Sequence, residues 1–167
     1  MTTPQPQTPR TEKPATKRFD SPEQEAYLHL WRTYDRLKAI EERLFQQYDL
    51  SPQQYNALRL LRAAQPDTIA TLALGARLIS RAPDMTRLLD RLEERQLVER
   101  QRRPENRRVV EVGITPTGLE LLAKLDEQVR QCNHEQLGHL SKDSLAQLVA
   151  LLEEARRPHE TPEQPWP

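Results

Sequence analysis

Apolar residues recur every third or fourth position from Tyr27 to Tyr48: Tyr27, Leu30, Trp31, Tyr34, Leu37, Ile40, Leu44, Phe45 and Tyr48. That spacing puts them on one face of a helix. The helix is expected to start near Pro22, with Ser21 as N-cap and Glu23 and Glu25 in the first turn, where the helix dipole favours acids. Trp31 and Phe45 widen the stripe beyond what one partner helix covers. A second apolar partner, such as another subunit, would bury it. A second helix has a well-marked start in Leu50-Ser51-Pro52-Gln53-Gln54-Tyr55. Ser51 is the cap, Pro52 the first helical residue, Gln54 the reciprocal capping residue, and Leu50 with Tyr55 a hydrophobic staple. Its inward residues are Tyr55, Leu58 and Leu61, and Pro66-Asp67 ends it.

A third helix covers roughly Ala70 to Leu78. A fourth follows a short connection, with Ser80 or Ala82 as N-cap and Pro83 in its first turn. Met85, Leu88, Leu89 and Leu92 form its apolar face; Asp84, Arg87, Arg91 and Glu94 lie opposite. The period then changes from that of a helix to that of a strand. Residues 97–103 and 107–114 read as two strands, with Pro104-Glu105-Asn106 as the turn between them. A fifth helix opens at Ile114-Thr115-Pro116 and carries Leu119, Leu122, Leu125, Val129 and Cys132. A sixth opens at Leu140-Ser141, carries Leu145, Leu148, Val149, Leu151, Leu152 and Ala155, and ends at Arg156-Arg157-Pro158. The fold class is mainly α with a small β-hairpin wing (α+β): a winged helix-turn-helix between long N- and C-terminal helices.

Composition adds the tails. Eight of the fourteen prolines fall in residues 1–20 and 158–167, segments too poor in apolar residues to offset their ordering entropy, so both are expected to be disordered. The 167 residues otherwise suit one domain, residues 21–157. No run approaches the ~18 apolar residues of a membrane span. The N-terminus lacks the apolar stretch of a secretory signal, so a cytoplasmic location and no membrane partner are expected. A single cysteine, Cys132, excludes an internal disulfide framework.

Charge changes the picture only locally. The whole chain balances 25 basic against 25 acidic residues. Between Arg77 and Arg108, ten arginines stand against six acids, and no lysine is present. Arginine offers a planar fork of donors suited to phosphates and guanine edges. A helix-turn-helix followed by a hairpin is a docking device for duplex DNA: its last helix fits the major groove, and the ribbon tip reaches a neighbouring minor groove. Arg87 and Arg91 are on the outer face of the fourth helix, and Arg103, Arg107 and Arg108 on the ribbon. The same charges could instead form a solvated helix face with internal ion pairs.

The ordered motifs of this stretch resemble the MarR family of bacterial transcriptional regulators. They are Leu74-x-x-Arg77-Leu78, Met85-Thr86-Arg87-Leu88-Leu89-Asp90-Arg91-Leu92-Glu93, Leu97-Val98-Glu99-Arg100, Asn106-Arg107-Arg108 and Ile114-Thr115-Pro116-Thr117-Gly118. The resemblance covers about residues 22–157. It implies a homodimer that binds a pseudo-palindrome of double-stranded DNA as a repressor or activator, with a repressor expected. The winged helix-turn-helix would span about 51–114, with dimerisation helices at about 22–48 and 116–157. By position, Pro83, Asp84, Thr86, Arg87 and Arg91 would face the major groove and Arg107 and Arg108 would be wing arginines; Arg81 and Arg103 complete the candidate DNA-binding set. The chain departs from the family at Asn106, where an aspartate usually braces a wing arginine, and at Ile79, where glycine is frequent. Family members often bind small aromatic effectors, for which Trp31, Tyr34 and Tyr55 are the candidate lining.

Two other classes remain open at this stage. One is a winged-helix adaptor for proteins that does not read DNA. The other is a redox-sensing regulator built on Cys132, although no second cysteine is present to resolve a sulfenate. Cys132, His134, Glu135 and His139 resemble a metal cluster in composition only, so no metal or cofactor is expected. The chain has no nucleophile elbow, no phosphate-cradling glycine loop and no zinc-protease motif, which argues against an enzyme.

Overall fold

The computed structural model describes residues 19–79, 84–102 and 109–160; most of both expected tails, residues 80–83 and residues 103–108 lie outside these. The elements are α1 (Pro22–Gln46), α2 (Pro52–Ala64), β1 (Ile69–Ala70), α3 (Thr71–Arg77), α4 (Met85–Glu94), β2 (Val98–Arg102), β3 (Val110–Ile114), α5 (Pro116–Leu137) and α6 (Lys142–Arg156), followed by a 3-10 turn at Arg157–His159. The chain divides into two compact units, residues 1–36 and 37–167. The division falls inside α1, and the helical pattern runs straight across it. Within the described part of the first unit no residue is buried.

In the first unit, the Ser21 hydroxyl accepts the Gln24 N–H at 3.2 Å, and the Gln24 side chain exchanges hydrogen bonds with Asp20. Tyr27, Trp31 and Tyr34 are all exposed.

The second unit holds the core. Phe45, Leu58, Leu61, Leu74, Leu89, Leu92, Val112, Leu122 and Leu125 are its fully buried large side chains. The expected cap of α2 is present in both directions: Ser51 Oγ accepts the Gln54 N–H at 3.2 Å, and Gln54 Oε1 accepts the Ser51 N–H at 2.8 Å. Thr115 and Ser141 cap α5 and α6 as their sequences foretell. α2 is tied to α5 by Arg62, which donates to both carboxylate oxygens of Asp126 at 2.9 and 3.0 Å.

Three features differ from the sequence expectation. The wing sheet has three strands, in the order β1-β3-β2, not two. Ile69 and Ala70 pair antiparallel with Val112 and Glu111. A two-residue strand is too short to show a period, and only its partner defines it. Next, Leu97 and Val109 fall outside the hairpin strands, which run 98–102 and 110–114, and residues 103, 107 and 108 of the expected strands lie outside the described residues. The cap of α4 is Asp84, whose Oδ1 accepts the Arg87 N–H at 2.9 Å. Ser80, Ala82 and Pro83, the residues expected to open that helix, lie outside the described residues. Asp84 therefore ends the loop and is not part of the helix's outer face; its carboxylate is favoured there by orphan N–H groups and the helix dipole. α6, expected as a dimerisation helix, buries none of its residues, and Val149 and Leu151 are 54% and 64% exposed.

α4 and α1 end without glycine. Gln96 (φ 57) and Asp49 (φ 52) take the left-handed conformation, and the next amides reach back to Leu92 and Phe45 at 2.9 and 3.0 Å. A glycine is required instead at Gly118, where α5 leaves the sheet. A Cβ there would sit 2.3 Å from the Leu97 carbonyl oxygen and 2.8 Å from an Ile114 side-chain carbon. Gly118→Ala is expected to lower stability by about 1–3 kcal/mol through overpacking. Urea unfolding checks this, and an unchanged midpoint would refute the close approach.

Candidate nucleic-acid interface

α4 is amphipathic in the simplest way. Leu88, Leu89 and Leu92 are buried, while Thr86, Arg87, Arg91 and Glu94 are exposed. Among the described residues, neither Arg87 nor Arg91 has an ion-pair partner. Met85 packs over α3, where a Cβ on Gly75 would lie 3.4 Å from its side chain. The pair α3 and α4 is thus held by backbone proximity as well as by the leucines.

Arg100 behaves in the opposite way. It is on β2, in register with Val112 of β3, and its guanidinium turns back onto α4. Its Nη2 meets Asp90 Oδ1 at 2.7 Å, and its Nε meets Glu93 Oε2 at 2.9 Å, with a second bond from Nη2 to the same Glu93 oxygen. Hydrogen bonding from Arg100 holds the Glu93 carboxyl below the usual glutamate range. The same bonds, Glu93 first, push the Arg100 guanidinium further up. Sequence reading counted Arg100 in the basic excess and did not see this clamp. The available signal was Asp90 and Glu93 three residues apart on the helix that precedes the strand.

Behind the clamp, Thr71 Oγ1 donates to the Val110 carbonyl at 3.0 Å, and Thr68 Oγ1 donates to Glu111 Oε2 at 2.8 Å. These bonds fasten the start of α3 and the segment before it to β3. The wing base is therefore braced on one side by β1 and on the other by the Arg100 clamp.

Of the expected DNA-facing residues, the structure brings Thr86, Arg87 and Arg91 together on one exposed helix face, with Asp84 as its cap. Arg81, Pro83, Arg103, Arg107 and Arg108 lie outside the described residues, as does Asn106. Of the expected effector-lining residues, Trp31 and Tyr34 belong to the first unit and Tyr55 to the second. Trp31 lines a cavity of about 500 Å³ with Phe19, Leu28, His29, Arg32 and Asp35, a set without Tyr34. Tyr55 stacks on Phe45 with ring centroids 4.4 Å apart, and burial pushes its phenol up.

Cys132 is buried beside Gln128 and Glu135. Burial first, then the nearby Glu41 and Glu135 carboxylates, push its thiol up. A thiol so placed carries less of the thiolate that peroxide attacks, so its surroundings do not favour a redox sensor.

A helix pair with arginines on the outer face of its second helix, followed by a hairpin braced to that helix, defines a DNA-binding winged helix-turn-helix. Residues 50–110 match the MarR family. The crystal structure of a MarR transcription factor from Planctomyces limnophilus is 61% identical, with a TM-score of 0.65, over 81% of this chain and 98% of that one. A cysteine-to-serine mutant of E. coli MarR, solved with operator DNA, shares the fold at 24% identity and a TM-score of 0.68, over 78% of this chain and 91% of that one. The transcriptional repressor IacR of Pseudomonas putida is 27% identical over 124 residues, 74% of this chain and 73% of its own length. The chain belongs to the MarR family of transcriptional regulators; it is a transcription factor and not an enzyme. No helix among the described residues is long and apolar enough to cross a membrane.

Arg100→Met would leave Asp90 and Glu93 unpaired and should cost about 1 kcal/mol at neutral pH, the range of a partly exposed pair. Because the Glu93 carboxyl is depressed in the folded state, its contribution is full above the unfolded value and is lost as pH falls through the folded one. Urea unfolding of both proteins should therefore show a gap at pH 7 that narrows below about pH 4. A gap that does not change with pH would remove the ionic reading of the clamp.

Proposed function

We propose that this protein is a cytoplasmic, homodimeric repressor that binds a pseudo-palindromic site in double-stranded DNA and is released by a small-molecule effector. The observation that carries the DNA half is the sorting of arginines by partner. Arg100 is held by two acids, whereas Arg87 and Arg91 stand exposed above the buried leucines without a carboxylate partner among the described residues. An adaptor surface has no use for cations kept free in this way, whereas base edges and phosphates do. Thr86 adds a hydroxyl to the same face. The roles of Pro83, Arg107 and Arg108 rest on the family resemblance, whereas Arg81 and Arg103 complete the set from the arginine-rich stretch, and the wing's entry into the minor groove rests on the hairpin that follows the helix pair. Repression is the output named for the Pseudomonas putida relative.

The dimer is supported by apolar surface. In α1, Tyr27, Leu30, Trp31 and Tyr34 are 49–63% exposed, and α6 adds Val149 and Leu151. Apolar side chains repeated along helices mark surfaces that another chain covers. Two recognition helices must then lie about 34 Å apart to enter successive major grooves. An effector that favours another spacing shifts the population and weakens binding. Trp31 and Tyr34, and separately Tyr55, are the candidate aromatic contacts of that effector.

Binding to the DNA upstream of its own gene should weaken steeply with salt, since phosphate contacts release counterions. Arg87→Ala should cost about 1–3 kcal/mol and relax the choice of base. A flat salt dependence, measured by fluorescence anisotropy, would dispose of the DNA reading. Leu151→Glu should turn the dimer into a monomer in sedimentation equilibrium and lower the cooperativity of DNA binding. A variant that stays dimeric would remove α6 from the interface.

A further inference from the structure

A second cavity, of about 530 Å³, lies between the corner joining α1 to α2 and the C-terminal half of α4. Its walls carry both signs of charge. Arg91, Glu94 and Arg95 come from α4 and its C-cap, and Asp49 from the corner. Arg95 ties the walls together: its guanidinium donates to the carbonyls of Asp49 at 2.5 Å and Tyr48 at 3.0 Å. Leu50 and Gln54 also line the cavity, and both are only 7% exposed. Gln54 uses Oε1 in the α2 cap, while its Nε2 makes no hydrogen bond among the described residues. Among those residues, too, no ion pair joins Asp49 or Glu94 to either guanidinium.

This balance selects the ligand. A simple anion on Arg91 would face Asp49 and Glu94; a simple cation would face Arg91 and Arg95. Each would meet like charge as well as opposite charge. A small zwitterion meets both kinds of wall favourably. The geometry points to a binding site for a free α-amino acid, distinct from the aromatic contacts above. The ligand carboxylate takes the Arg91 guanidinium, which suits it bidentately. The ammonium is placed between Asp49 and Glu94, and the side chain lies over Leu50 beside the Gln54 amide. The volume is within the ordinary range for small-molecule sites. Because Arg91 also belongs to the proposed DNA face, an amino acid that engages it competes with DNA. That coupling rests on the DNA reading; the binding itself does not.

The test is isothermal titration calorimetry of the full chain with the proteinogenic amino acids as free zwitterions. At least one should bind with a Kd of about 1 mM or tighter. Its N-acetyl and amide derivatives, each lacking one charge, should bind about tenfold more weakly or worse. Asp49→Asn, which keeps a residue tolerant of the left-handed conformation, and Glu94→Gln should each weaken binding by a similar factor without moving the urea midpoint. The site is overturned if no amino acid binds, if the derivatives bind equally well, or if both variants bind as wild type does. In fluorescence anisotropy, an amino-acid concentration near the wild-type Kd should lower DNA affinity of the wild type and lower that of Asp49→Asn by clearly less. Unchanged wild-type DNA affinity would overturn the sharing of Arg91. A protein that binds no DNA would overturn the proposed function, while the calorimetry still decides the site.

Discussion

A helix of ten residues cannot stand by itself in water; isolated helices below about 12–15 residues are marginal even with favourable composition. α4 is that short. It exists because Leu88, Leu89 and Leu92 are buried under it and because Asp84 holds its first turn. Burying a leucine is worth about 1.5–3 kcal/mol, whereas each charged group on the outer face contributes a fraction of that. The apolar side thus decides where the helix lies, and the polar side is left to present Thr86, Arg87 and Arg91. The chemistry of the outer face thus depends on the core beneath the helix.

The Arg100 clamp extends that logic to the wing. A hairpin alone is marginal in water, and β2–β3 is anchored at both flanks: by β1 on one side and by Asp90 and Glu93 on the other. Gly118 completes the arrangement by letting the first turn of α5 approach the Leu97 carbonyl. The fold therefore separates two uses of arginine. One is paired with acids to hold the wing base against α4, and others on the same helix's outer face are left available to a polyanion. Composition cannot distinguish these uses, because both count equally toward the local positive excess.

The end of α4 is tied to the end of α1 as well. Arg95 reaches from the end of α4 to the carbonyls that follow α1. A displacement at that corner must be felt by α4, since the Arg95 hydrogen bonds and the packing of Phe45 and Leu50 into the shared core resist independent motion. The inserted left-handed residues Asp49 and Gln96 stand at the two helix ends that meet there. The parts of this link are distributed over three separate stretches of sequence.

Much of this was legible in the amino-acid order. The caps at Ser51, Thr115 and Ser141 are local: a side chain bonds its own helix within three residues, so the pattern contains cause and effect together. The switch from helical to strand period at Leu97, and the inward leucines of α4, are likewise properties of adjacent residues. What only the tertiary structure decided is long-range. β1 becomes a strand because Val112 lies beside Ile69, more than forty positions away in the chain. Arg100 becomes a clamp because register on β3 and the turn at Gln96 bring it over Asp90 and Glu93. The apolar residues of α6 are periodic yet none is buried, and Val149 and Leu151 stay exposed, since a pattern records that a face is apolar and not which chain covers it.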